Sequence, residues 1–341
     1  MTGCKGFSPR LRAAFLHVSA CLLLAPSAVP QQQAAYPGSA WDTADPAAAG
    51  FDAPALRAAL GSLEGNAVVV RHGKLVAVQG DPGEPRPVNS VSKTFTSIVF
   101  AVLLGQGKLR LGDVVPGSAH PGPPPATYRQ FLNMTSDYGL IPHAPGTRFA
   151  YHNPAVQHYG SQMARQYFGG QPPDAIIEQV LWSLLGREDK FWFEGEWSGA
   201  GGGFRASARD LARIGLLFLR EGRWRDRKLI PAWYVRELYK CQIPKGALYN
   251  AWESGKRKLE YSLILKDNYS YGWWNNAGRQ FPELPTELIY AWGANGNNII
   301  VIPRYDLVVA KVAEIRGRPE PNVQQVVLPI LKSLKERREA P

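Results

Sequence analysis

Ser90 and Lys93 stand three residues apart in Ser90-Val91-Ser92-Lys93. That spacing puts a hydroxyl and a primary amine on one face of a helix, within hydrogen-bond reach. An amine held against a hydroxyl can take its proton, and Ser-Lys pairing is one way of activating a weak oxygen nucleophile for acyl transfer. A lysine ordinarily titrates near pH ~10.4, so such a base must be buried or placed beside other cations to be neutral near pH 7. Alone, the tetrad also reads as a capping serine followed by a surface lysine, so its context has to decide.

The elements around the tetrad can be read from periodicity. Phe95, Ile98, Val99, Val102 and Leu103 recur at i, i+3, i+4, i+7 and i+8, which predicts an amphipathic helix buried on one side and stopping near Gly105 and Gly107. Ser90 then sits at a helix N-terminus, where free N–H groups and the helix dipole favour developing negative charge. Upstream, Asn66 to Val70 and Leu75 to Gln79 are β-type runs parted by Arg71-His72-Gly73-Lys74, a hairpin pattern. A Pro-rich stretch from Pro116 to Pro125 leads into a mostly helical region from Tyr128 to about Tyr239, in which Ala206 to Arg220 is the clearest helix. The β signal returns at Tyr269. Ile299 to Ile302 and Leu307 to Val312 are apolar runs parted by Pro303 to Asp306, and a final helix is expected over Asn322 to Arg337.

Strands at both ends of the chain with helices between them predict an α+β fold in which the two ends share one antiparallel sheet, flanked by helices, with the active site at the junction. We expect a signal peptide over 1–28, a leader exit or linker over 29–49, an α/β domain built from 50–115 and 241–337, and a mainly helical insert over 116–240.

The 341 residues, 45% hydrophobic and with 10 tryptophans, are ample for a sizeable core. The N-terminus carries Lys5, Arg10 and Arg12, then an apolar stretch from Ala13 to Ala25, then small residues, the order of a secretory signal. That stretch is short for a membrane span, which needs ~20 residues. Secreted or periplasmic export is therefore expected, with no membrane span. Cys21 does not sit in a good lipoprotein context, because Leu22 to Leu24 extend the apolar run beyond it. Of the three cysteines only Cys241 lies outside the leader, so no disulfide is expected and Cys241 reads as a small buried hydrophobe. Net charge is +11, but the basic residues are dispersed and match no nucleic-acid motif, so no nucleic-acid partner is expected. The six histidines lack metal-ligand spacing, and no metal or other cofactor is expected.

Two further regions complete a constellation. Pro145-Gly146-Thr147-Arg148-Phe149-Ala150-Tyr151-His152-Asn153 offers a Tyr and an Asn two apart after a Pro-Gly turn, and Trp292-Gly293-Ala294-Asn295-Gly296-Asn297 precedes the apolar run at Ile299. In this order, with Ser90-Val91-Ser92-Lys93, the three resemble the motifs of the serine β-lactamase and penicillin-binding-protein superfamily, especially its class C-like esterase and 6-aminohexanoate-dimer-hydrolase branch. Leu132 to Ser136, Ser207 to Arg213, Tyr271-Gly272-Trp273-Trp274 and Pro303 to Val309 add to the resemblance, which runs from about Gly50 to Leu331. It implies the β-lactamase/transpeptidase-like fold, Ser90 as acyl-forming nucleophile and Lys93 as its base. Tyr151 is then the proton carrier and general acid, although a core aromatic would read the same way. Asn153 would hold Lys93 and the acyl chain by its amide. The oxyanion hole would be formed by the N–H groups of Ser90 and of Asn297, with Asn295 and Gly296 beside it.

The third motif also departs from the family. Members that handle carboxylate-bearing β-lactams or peptides generally carry Lys-Thr-Gly or a His-bearing equivalent there, and the positions aligned with it read Ala294-Asn295-Gly296. A carboxylate buried without a cation is costly, so the expected substrates are small neutral esters or amides, with Trp292, Trp273 and Trp274 either lining an apolar pocket or filling the core. A β-lactamase or D-alanyl-D-alanine carboxypeptidase, and a non-catalytic relative that binds cell wall or a partner protein, are the alternatives.

Overall fold

In the computed structural model, the described residues are 35–119, 122, 124–139, 144–195, 203–245, 248–249, 268–314 and 321–335. The signal peptide expected over 1–28 lies outside them, as does the end of the last predicted helix.

Helix α1 (Ala53–Gly61) starts at Asp52, whose carboxylate accepts the Ala55 N–H, with Pro54 in the first turn. The hairpin β1 (Asn66–Arg71) and β2 (Lys74–Gln79) follows, then helix α2 (Ser92–Gly105), α3 (Tyr128–Leu132), α4 (Asn153–Tyr167), α5 (Ala208–Leu219) and α6 (Ala232–Leu238). Strands β3 (Tyr269–Ser270), β4 (Trp273–Asn275), β5 (Ile289–Gly293), β6 (Asn297–Ile302) and β7 (Leu307–Val312) lead to α7 (Val323–Lys332). Among the described residues these strands make one seven-stranded antiparallel sheet in the order β3-β4-β5-β6-β7-β1-β2.

The two ends of the chain meet where β1 pairs with β7, Val68 opposite Ala310. Every residue of β6 and β7 is buried, so both faces of the sheet are covered. Helix α5 lies against β6, β7 and β1, with Gly215 permitting close approach to Val308. Helices α1 and α7 pack on one another and reach β2 and β6.

Three features differ from the sequence reading. Helix α2 is buried from Ser92 to Leu103, all round rather than on one side. Its polar residues are satisfied internally: Thr94 Oγ1 donates to Gly272 O at 3.0 Å, Ser97 Oγ to Thr94 O at 2.8 Å, and Ser92 Oγ accepts Phe204 N–H at 3.3 Å. Hydroxyls bonded in this way hide a buried helix behind an amphipathic pattern. The segment read as a linker is bound to the body from Pro37 onward, because Trp41 is buried, its indole N–H donates to Arg209 O, and Arg225 donates to Pro37 O. Finally, α5 lies in the region read as a helical insert but packs on the sheet.

The Ser207 to Arg213 segment explains why α5 is fixed. Ser207 Oγ caps the helix by accepting Asp210 N–H, while the Asp210 carboxylate accepts the N–H groups of Glu188 and Asp189. Arg209 pairs with Asp189. Arg213, with no side-chain exposure, donates to Glu188 Oε1 at 2.7 Å and to the carbonyls of Gly38 and Leu185, beneath the Trp41 ring.

Candidate active site

Ser90 lies in a 3-10 turn, Asn89–Val91, that runs directly into α2. Lys93 Nζ donates to Ser90 Oγ at 3.0 Å. The Lys93 side chain is only 2% exposed, and the loss of solvation pulls its amine down to about 7, so a neutral base is accessible near physiological pH. Its Nζ stands 4.6 Å from the centroid of the Tyr151 ring. That ring packs on Trp274 at 5.4 Å and edge-on to Tyr269 at 6.2 Å. Ser90, Lys93 and Tyr151, 58 residues apart in sequence from lysine to tyrosine, are thus one cluster.

A chain of backbone bonds assembles it. Tyr271 and Gly272 both have positive φ, the requirement of a tight two-residue hairpin turn, and they join β3 to β4. Gly272 presses on α2, where a Cβ would lie 2.6 Å from Ser97 Cβ. The turn is held from the other side by Asn133 Oδ1, which accepts Tyr271 N–H at 2.9 Å, and by Leu132 O, which accepts Gly272 N–H at 3.0 Å. Met134 O in turn accepts Ala150 N–H at 2.8 Å, which sets the segment carrying Tyr151. The Leu132 to Ser136 and Tyr271 to Trp274 segments therefore act as braces between the nucleophile helix and the tyrosine.

Asn153 begins α4 and is half-buried, and its amide makes no hydrogen bond among the described residues. His152 is half-buried, neither ring nitrogen is hydrogen-bonded among the described residues, and desolvation lowers its pKa.

At the third motif the structure brings a different residue against the nucleophile. Asn297, expected to supply the second oxyanion N–H, starts β6 opposite Gly293 with its side chain fully buried, Nδ2 donating to Pro87 O and Ala294 O and Oδ1 accepting Ala313 N–H. Asn295 and Gly296 lie in a 3-10 turn beyond the end of β5. What abuts the nucleophile is Gly293: a Cβ there would overlap Val88 O and lie 3.0 Å from Ser90 N and 3.1 Å from Val91 N. The register that matters is therefore Ala291-Trp292-Gly293 followed by exposed Ala294, three residues earlier than the sequence alignment. The missed signal was the apolar run Leu288 to Ala291, which marks β5 and puts Gly293 at its end. Asn89 was also missed. It has φ +50°, and its Nδ2 donates to Ala294 O at 2.9 Å.

The family model for beta-lactamase matches residues 54–326. The chain belongs to the beta-lactamase family. No curated protein matches it. Among solved structures, this beta-lactamase-family chain is similar to a protein named as a 6-aminohexanoate-dimer hydrolase from Bacillus anthracis, at 16% identity over 88% of this chain and 87% of that one, TM-score 0.63. It is also similar to a penicillin-binding protein homologue from Pyrococcus abyssi (17%, 81% and 75%, TM-score 0.61) and to a family VIII carboxylesterase (13%, 82% and 97%, TM-score 0.62). These likenesses show a shared fold.

Ala291, two residues before Gly293, is buried within β5. The tryptophans divide between two roles. Trp273 is core, tilted against Phe218 at 4.5 Å between ring centroids, whereas Trp274 packs on Tyr151 and lies 6.3 Å from half-buried Trp292. The aromatic wall of this beta-lactamase-family site is therefore Tyr151, Trp274 and Trp292. Among the described residues no group of three or more His, Cys, Asp or Glu side chains is placed to hold a metal, and no helix is long and apolar enough to cross a membrane.

Proposed function

We propose that the protein is a serine hydrolase that forms an acyl-enzyme on Ser90 and cleaves small neutral esters or amides. The observation that carries this reading is the 3.0 Å contact of Ser90 Oγ with a lysine amine whose burial brings its pKa to about 7. Ser90 Oγ attacks the substrate carbonyl carbon and its proton passes to Lys93 Nζ. The carbonyl π pair moves onto oxygen, held by the N–H groups of Ser90 and Ala294; such a donor contributes on the order of 3 kcal/mol in the transition state. Collapse breaks the bond to the alcohol or amine, which takes the proton from Lys93 by way of the Tyr151 hydroxyl. Water then adds to the acyl carbon, gives a proton to Lys93, and Ser90 Oγ recovers it as the acid leaves.

Substrate class follows from what lines the approach. The aromatic wall favours apolar acyl or alcohol groups, and Ala291 offers no charge to a carboxylate. Both features weigh against a β-lactamase or D-alanyl carboxypeptidase activity. We propose further that residues 1–28 direct export.

The test is incubation of the protein and Ser90→Ala with a fluorophosphonate probe and with p-nitrophenyl acetate and butyrate. Labelling and nitrophenol release that both disappear in the variant support the reading. Equal behaviour of the two proteins refutes it and favours the binding-protein alternative.

A further inference from the structure

The three-residue turn after β5 is clamped by four side-chain donors. Ala294 O accepts two side-chain amides, Asn89 Nδ2 at 2.9 Å and Asn297 Nδ2 at 2.6 Å. Gly296 O accepts two more donors, Asn298 Nδ2 at 2.7 Å and Lys311 Nζ at 3.2 Å. Three of these donors, Asn297, Asn298 and Lys311, belong to the sheet and are fully buried. Asn89 is different, since it immediately precedes the nucleophile and is half-exposed.

The backbone of Asn89 is itself committed to this arrangement. Its φ of +50° is left-handed, where Asn is among the few non-glycine residues that sit readily. In that conformation the side chain bridges to Ala294 while the next residue presents its hydroxyl to Lys93. This side chain therefore couples the residue next to the nucleophile directly to the turn bearing the Ala294 N–H, beside the buried Asn297 amide that joins Pro87 O to Ala294 O.

We infer that Asn89 is a positioning residue which, through its bond to the Ala294 carbonyl, holds the Ala294 N–H and the Ser90 N–H in register as one oxyanion hole. The inference rests on the acyl-Ser90 reading and adds the residue that sets its geometry. Asn89 acts through Ala294 and touches no reacting atom. The buried Asn297 amide ties the carbonyl to the sheet and to Pro87 O, and the Asn89 bond ties it to the residue adjacent to Ser90. Without Asn89, the turn retains the Asn297 bonds to the sheet and to Pro87 O but loses its bond to the residue next to Ser90.

Two variants separate this role from a structural one. Asn89→Asp keeps the shape and tolerates the left-handed backbone, but an ionised carboxylate cannot donate to a carbonyl. Asn89→Gly keeps the backbone conformation and removes the side chain. The readouts are kcat and KM for p-nitrophenyl butyrate, the inhibition constant of a trifluoromethyl ketone that forms a tetrahedral oxyanion on serine, and Tm. Both variants should lose about ten-fold or more in kcat with KM within about two-fold, and bind the ketone weaker by a matching factor. Wild-type kcat and ketone affinity in both variants would overturn the inference, and so would a fall in kcat with unchanged ketone affinity, since the oxyanion hole would then be intact. If instead wild-type enzyme shows no serine-dependent labelling, it is the acyl-Ser90 reading that fails.

Discussion

Lys93 Nζ lies 3.0 Å from Ser90 Oγ while its own stem is sealed in the core, so the base is in contact with the nucleophile and shielded from water. The same burial that makes the amine useful opposes its charge, and this links activity to stability.

The acylation rate of wild-type enzyme should rise with pH through an apparent pKa of about 7, the pH at which burial leaves Lys93 neutral. Stability shares the cause with a definite sign. The folded pKa lies below the unfolded value of ~10.4, so between these limits the unfolded chain binds more protons and stability rises with pH, by up to ~1.4 kcal/mol per unit. Below pH ~7 the penalty is fully present. Lys93→Met should lack the activity while losing this pH-dependent increment, read by chemical denaturation at pH 6, 8 and 9.5.

Gly293→Ala should remove activity without unfolding the protein. The φ of −129° suits alanine, so the added methyl costs nothing in backbone conformation, but it overlaps Val88 O and crowds Ser90 N. The nucleophile turn must shift relative to β5. We expect kcat to fall by at least ~100-fold, the scale of losing one oxyanion donor, in steady-state assays with p-nitrophenyl butyrate, with circular dichroism unchanged.

Tyr151→Phe keeps the ring against Trp274 and Tyr269 and deletes only the hydroxyl. If that group relays the proton to the departing alcohol, kcat should fall by roughly 100- to 10,000-fold while Tm changes little. The loss should be smaller for nitrophenyl esters, whose leaving group needs no protonation, than for alkyl esters. Equal losses on both substrates would argue against the relay.

Arg213→Ala tests the brace under α5 and should leave the site chemistry alone. It leaves the Glu188 carboxylate only its 3.4 Å pairing with Arg209 and frees the Gly38 and Leu185 carbonyls, so removing this fully buried partner should cost about 3–5 kcal/mol. Thermal denaturation should show the loss, with KM unchanged in the protein that remains folded at low temperature.

Local pattern determined a large share of this protein. The hairpin at β1 and β2, the strands β6 and β7, and helix α5 were legible because each carries its own periodicity or apolar run, a property of adjacent residues. Ser90, Lys93 and Tyr151 were legible because their residue types and order are specific, even though only the fold brings Tyr151 to the lysine. Tertiary structure decided what depends on approach between distant segments. That Gly293 rather than Asn297 faces the Ser90 amide is a matter of which strand end meets the 3-10 turn, and no spacing in the chain encodes it. Nor does local pattern show that α2 is buried all round, since its hydroxyls find acceptors in its own backbone and in Gly272. The bond from Asn89 to Ala294 joins residues 205 apart, and it exists only because the sheet has already placed both.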